Sequence, residues 1–171
     1  MKKIRLALLA TIVAIAALAG CSAAKPGPAD AFASKMVVGK CEMGVADGWI
    51  NSSTATFQMA AAPDQLSDIR IATETPAPAT LDDCLTAIRA KLDSIESLQT
   101  RVELAADRLT VNTYEALRYQ YASEVGDYSL ITTYYYIIQK NICYTITYRA
   151  INGADFGSDI DAMLASVTIK K

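Results

Sequence analysis

Apolar and polar positions alternate with a period of two over most of the second half of the chain. Val102 and Leu104, then Leu109 and Val111, then Leu117, Tyr119 and Tyr121 each keep one phase, and Val125-Gly126-Asp127 supplies a turn. Leu130 to Ile138 is apolar or aromatic in both phases: Leu130, Tyr134, Tyr136 and Ile138 point one way, Ile131, Tyr135 and Ile137 the other. A strand of that kind is covered on both sides of its sheet. After a turn at Asn141, Ile142, Tyr144, Ile146, Tyr148 and Ala150 form one face and Cys143, Thr145, Thr147 and Arg149 the other, so the two strands form a hairpin. Earlier in the chain, Lys40 to Val45 leading to Trp49, Thr54 to Ala60, and Ile69 to Thr73 read as shorter strands, with Asp47-Gly48 as a turn.

The period changes after Pro76 and Pro78. Leu81, Cys84, Leu85, Ile88, Leu92 and Ile95 fall on one helical face, and Thr80-Leu-Asp-Asp83 has the hydroxyl and carboxylate spacing of an N-terminal cap. Near the end, Asn152-Gly153 turns the chain out of the sheet. Ser158-Asp-Ile-Asp161 is expected to cap a second, short helix carrying Ile160, Met163, Leu164 and Val167 on one side. The expected fold is α+β, an antiparallel sheet with helices on both faces in an α/β/α sandwich.

The first residues follow another pattern. Lys2, Lys3 and Arg5 precede an apolar run from Leu6 to Leu18 broken only by Thr11, and Leu18-Ala19-Gly20-Cys21 closes it with small residues before a cysteine. This is the layout of an exported lipoprotein signal, with Cys21 as the lipidated first residue after cleavage. The run falls short of the roughly 20 apolar residues that span a bilayer. Residues 1–20 therefore read as signal peptide. Residues 21–36, rich in Ala, Pro and Gly, read as a flexible tether, and residues 37–171 as one domain. Ser22-Ala-Ala-Lys25 has the form of a Ser-x-x-Lys motif but lacks the partner motifs of that chemistry. Ser22 after the cysteine fits onward transport to the outer membrane, facing the periplasm, in a Gram-negative host.

Charge narrows the partners. The chain has 16 basic and 18 acidic residues, and the signal takes three of the basic ones, so the mature part carries 13 against 18, a net of −5. No basic block or basic helix is present, which argues against nucleic acid. Of the four cysteines, lipidation of Cys21 leaves Cys41, Cys84 and Cys143. Export permits one disulfide, and spacing does not choose the pair. Cys84 lies on the apolar face of the helix and is expected to be buried under it, and any bridge is expected to join Cys41 to one of the other two. Without histidine, the usual general base near neutral pH and the commonest transition-metal ligand are missing, and the cysteine spacings match no zinc pattern. Asp82-Asp83 and Asp159/Asp161 sit at expected helix starts, where the helix dipole accounts for them. All nine tyrosines lie between Tyr114 and Tyr148, where cross-strand sheet stabilisation explains them better than a ligand platform.

Taken together, Asp47-Gly48-Trp49, the helix after the third strand, the run of antiparallel strands, and the closing pattern Tyr144-Thr-Ile-Thr-Tyr148, Asp155-Phe156 and Met163-Leu-Ala-Ser-Val-Thr-Ile169 resemble the lipoproteins with a PsbP-like fold. That group includes DcrB-like proteins, and the Mog-type Ran-binding protein shares its fold. The resemblance covers about Lys40 to Lys171. It implies binding or assembly in place of catalysis, with no functional residue to carry over. The expectation is a lipid-anchored cell-envelope module, non-catalytic and without cofactor or metal, that engages an envelope protein. The alternative is a carrier of a small apolar or lipid ligand, which needs a cavity of roughly 300–1,000 Å³.

Overall fold

The computed structural model describes residues 28–54 and 57–171. The signal peptide, Cys21 and the rest of the expected tether as far as residue 27 lie outside the described residues. The chain runs β1 (Ser34–Val38), β2 (Cys41–Val45), β3 (Ile50–Asn51), β4 (Gln58–Ala61), β5 (Asp68–Glu74), α1 (Leu81–Asp93), β6 (Val102–Val111), β7 (Tyr114–Val125), β8 (Tyr128–Gln139), β9 (Ile142–Ile151), α2 (Gly157–Ala165) and β10 (Thr168–Ile169). Two antiparallel sheets result. The larger has the order β3-β4-β5-β9-β8-β7-β6 and the smaller β1-β2-β10.

The long strands follow the alternation in the sequence. In the β8/β9 hairpin, Ile137 pairs with Tyr144 and Tyr135 with Ile146, so their side chains share one face, while Ile138 pairs with Cys143 on the other. The turn between β7 and β8 needs a left-handed residue, and Gly126 supplies it at φ +61° without a Cβ penalty. α1 begins with a full capping box: Thr80 Oγ1 accepts from the Asp83 amide at 3.1 Å, and the Thr80 amide donates to the Asp83 carboxylate at 2.9 Å. Leu81, Cys84, Ile88 and Leu92 form its buried face. The helix stops at Asp93, so Ile95 falls outside it and is exposed.

The expected helix-flanked α/β/α sandwich is not what forms. Strand accounts for 49% of the structure and helix for 20%, and the layers are unequal. α1 covers one face of the large sheet, packing Leu81, Cys84, Ile88 and Leu92 on Leu117, Tyr119, Tyr121, Tyr136 and Cys143. The other face is covered chiefly by the second sheet. Met36, Cys41, Met43 and Val45 of β1 and β2 pack with Ile69, Ile71, Ile137, Tyr144 and Ile146, joined by Ile160, Met163 and Leu164 of α2. α2 has only nine residues and forms part of that layer. The middle of β8 is covered on both faces, as its two-phase apolar pattern predicts: Ile137 is fully buried on one face and Tyr136 nearly so on the other, while Ile131 nearer its start is exposed.

The second sheet was not anticipated because its first strand lies partly in the stretch assigned to the tether. Ser34 to Met36 belong to β1, and Met36 is fully buried. Before it, Phe32 lies against the backbone of β2. A Cβ on Gly44 would stand 2.2 Å from Phe32 Cδ2, so only glycine lets the ring approach there. A second correction concerns α2, whose N-cap is Phe156 and makes no side-chain cap hydrogen bond. Ser158 therefore lies inside the first turn and does not cap it.

Candidate functional site

Alternation on β7 and β8 puts Tyr119, Tyr121, Tyr134 and Tyr136 on the α1 face of the large sheet, with Tyr119 directly opposite Tyr134. Their rings form a continuous ladder. Centroids are 6.0 Å apart for Tyr119 and Tyr121, 6.3 Å for Tyr121 and Tyr134, and 5.9 Å for Tyr134 and Tyr136, the last two pairs stacked. Such pairs stabilise by about 0.5–1.5 kcal/mol beyond burial. Packing thus explains Tyr119, Tyr121 and Tyr136, which are buried, while Tyr134 is half-buried and turned to a groove.

That groove exists because α1 is too short to cover the whole face. A cavity of about 450 Å³ lies beside the helix, lined by Cys84, Ile88, Tyr134, Tyr136, Cys143 and Thr145 among others. A second, of about 300 Å³, shares Tyr134 and Thr147 with the first and extends to Tyr121, Leu130, Arg70 and Arg149. At this far end the buried carboxylate of Asp68 accepts from Arg70 Nε at 2.8 Å and from the Arg149 guanidinium. Burial pushes the Cys84 thiol up to about 12, and also raises Cys143 and the Tyr134 and Tyr136 phenols. All four are protonated near neutral pH, so the charge in the lining comes from Glu74 and Lys91 in the larger chamber and from the two guanidiniums that flank Asp68 at the far end.

A second surface lies on the opposite face, at the end of the sheet beyond the small sheet. Register places Val102, Ala122 and Ile131 in one row across β6, β7 and β8, whereas Val125 and Tyr128, paired at the neighbouring hairpin end, alternate onto the α1 face. Val102 is 59% exposed, Leu104 49%, Val125 47%, Tyr128 50% and Ile131 37%. A cleft of about 450 Å³ lined by Val102, Ala122, Leu130 and Ile131 runs through this area. β6 pairs with β7 alone among the described residues, so its outer edge is open there. A bulge between Glu103 and Ala105 interrupts that edge, and Leu104 sits in it.

The three described cysteines are free and buried, and Cys41, expected to take part in any bridge, lies apart from the other two. Cys41 belongs to the core between the two sheets, where burial raises its thiol to about 12. Cys84 and Cys143 lie together on the other side of the large sheet, Sγ to Sγ 3.9 Å apart. A bridge from Cys41 to either would have to pass through the sheet. Three of the four paired carboxylates are also accounted for. Asp83 caps α1, Asp82 accepts from Arg108 at 2.7 Å, and Asp159 accepts from Trp49. No group of three His, Cys, Asp or Glu side chains among the described residues is placed to hold a metal ion. No described helix is long and apolar enough to cross a membrane.

Arg70 and Arg149 stand in no motif of the sequence. Their signal was present, since an arginine on a face shared with Cys143, Thr145 and Thr147 is out of place unless it meets a buried acid. Asp68, at the start of β5, is that acid.

No family model matches the sequence, and no curated protein does. Solved structures do match the fold. One is a protein of Bacteroides thetaiotaomicron VPI-5482, with a TM-score of 0.56 at 14% identity over 80% of this chain; this chain spans about half of that one, 48%. Another is LpqN, described as involved in cell envelope biogenesis of Mycobacterium tuberculosis, with a TM-score of 0.51 at 10% identity over 77% of this chain and 83% of that one. At these identities the likeness is one of fold.

Proposed function

We propose that the protein is a membrane-anchored cell-envelope lipoprotein, held through Cys21, that acts as a non-catalytic interaction or assembly module. In a Gram-negative host the anchor lies in the outer membrane and the domain faces the periplasm. The observation that carries the interaction reading is the apolar end of the large sheet. Val102 and Ile131 stand exposed in one row with Ala122 on the face opposite α1, beside the open edge of β6, and Val125 and Tyr128 are exposed on the other face of the same hairpin end. Gathered exposed apolar groups mark contact surfaces, and an open edge accepts a further strand. The pattern at Cys21 and the fold shared with LpqN, a protein of cell envelope biogenesis, support the envelope setting. Kinship with the PsbP-like lipoproteins is part of the proposal. In its favour, two parts of the pattern that suggested it meet in space, the Trp49 and Phe156 rings packing edge to face at 5.5 Å.

The test is Val102→Lys combined with Ile131→Lys, expressed in the native host and probed by crosslinking. Both sites are exposed, so thermal stability should change by no more than about 0.5 kcal/mol per site. Crosslinked species formed by the parent should disappear in the double variant. Unchanged crosslinks would remove this surface as the contact.

A second reading, a carrier of a small apolar or lipid ligand, is favoured by the tyrosine-lined groove, whose 450 Å³ chamber is of ligand size. Native mass spectrometry of protein taken from its own host separates the two. Co-purified lipid beyond the Cys21 anchor places the carrier reading first.

A further inference from the structure

We propose that Cys84 and Cys143 are a disulfide-forming pair that locks α1 to β9. Cys84 occupies the first turn of α1, and Cys143 is the second residue of β9, registered between Glu74 of β5 and Ile138 of β8. Their sulfurs are 3.9 Å apart, already in contact across the helix–sheet interface and 59 residues apart in sequence. A bond requires about 2.05 Å, so the two sulfurs close by roughly 2 Å in total. Small side-chain rotations and a slight approach of the helix supply that distance. Both sulfurs line the larger groove chamber, through which a small reagent reaches them. Cys41, in the core on the far side of the sheet, has neither thiol within reach.

The oxidant is a disulfide-bearing thiol oxidant, small or protein-borne. One protein thiol loses its proton and attacks the oxidant's S–S bond, releasing one oxidant thiol and leaving a mixed disulfide. The second protein thiolate then attacks that mixed disulfide at the protein sulfur, and the second oxidant thiol leaves. The two protein sulfurs lose two electrons and two protons in all, and the oxidant's disulfide is reduced to two thiols. The bond closes a long loop and fixes the first turn of the helix that walls the groove. The groove therefore has two states, one with two free thiols in its lining and one with its helical wall bonded to β9 through a disulfide.

The proposal is independent of where the chain resides, and purified full-length protein tests it. Reduced protein is incubated with oxidised glutathione, acid-quenched, denatured, alkylated and digested with trypsin. The expected product is peptide 71–89 joined to peptide 141–149, with Cys41 recovered alkylated. The oxidised form should melt on the order of 10 °C above the reduced form. Cys41→Ala should leave both results intact, whereas Cys84→Ala should abolish the crosslink. Persistent glutathione adducts on Cys84 or Cys143 without a crosslink, a bridge involving Cys41, or full recovery of free thiols would each overturn the proposal.

Discussion

The indole Nε1 of Trp49 donates a hydrogen bond to the Asp159 carboxylate at 2.9 Å, tying the turn after β2 to the first turn of α2 across 110 residues of chain. The contact fixes α2 against the small sheet, and the Phe156 ring beside it completes the joint. A hydrogen bond to a charged group contributes about 1.5–3 kcal/mol. Trp49→Phe keeps the aromatic packing and removes the donor, so it should lower stability by about that amount in chemical denaturation. Asp159→Asn retains an acceptor and should cost less. Because Trp49 is the sole tryptophan, Asp159→Ala can be read directly as a red shift of intrinsic fluorescence; unchanged emission would mean that the joint is not held by this bond.

Thr80→Ala removes the acceptor for the Asp83 amide and should cost about 0.5–2 kcal/mol. The loss should be local as well as global. Cys84 lies one residue beyond Asp83, so fraying of the first turn should speed its alkylation in native protein while Cys41, in the other core, reacts at the parent rate. Equal acceleration at both thiols would indicate global unfolding instead.

Glu42 of β2 is buried and ion-paired with Lys170 and, at 3.2 Å, with Lys35. The Lys170 ammonium, against the opposing effect of burial, holds the Glu42 carboxyl below its ordinary value of 4.5, with Lys35 acting in the same sense. A depressed carboxylate stabilises the fold fully above its unfolded pKa and loses that contribution as pH falls through the folded one. Glu42→Gln should therefore melt below the parent at pH 7, by roughly 2–4 °C per kcal/mol lost. The gap should close as pH falls below 4.5. A gap independent of pH would assign the effect to packing.

Cys21→Ala should move the protein from the membrane fraction to the soluble fraction, because stable anchoring takes two or more acyl chains on the cysteine. Detergent-phase partitioning of the variant measures it. Retention of the variant in the detergent phase would assign membrane association to another part of the chain.

Most of the large sheet was legible in the sequence. The alternation in residues 130–151 specified β8, β9, their hairpin and the side chains on each face, because a strand's facing is encoded two residues at a time. α1 and its cap were legible for the same kind of reason, since the Thr80–Asp83 spacing and the Leu81, Cys84, Ile88, Leu92 face are local patterns. The apolar content of both phases also indicated that the middle of β8 is buried on both sides, but it carries no information about what does the burying. That was decided by pairings between distant parts of the chain. β10 joins β2 by placing Thr168 against Glu42 and Ile169 against Cys41, and β1 adds Met36 to the same layer from a stretch whose composition reads as linker. A sheet thus stands where a helical layer was expected. The placement of the cysteines and both candidate surfaces depend on the same kind of fact. Spacing along the chain is silent on which side of a sheet two residues reach, and on where a thirteen-residue helix leaves a twelve-residue strand uncovered.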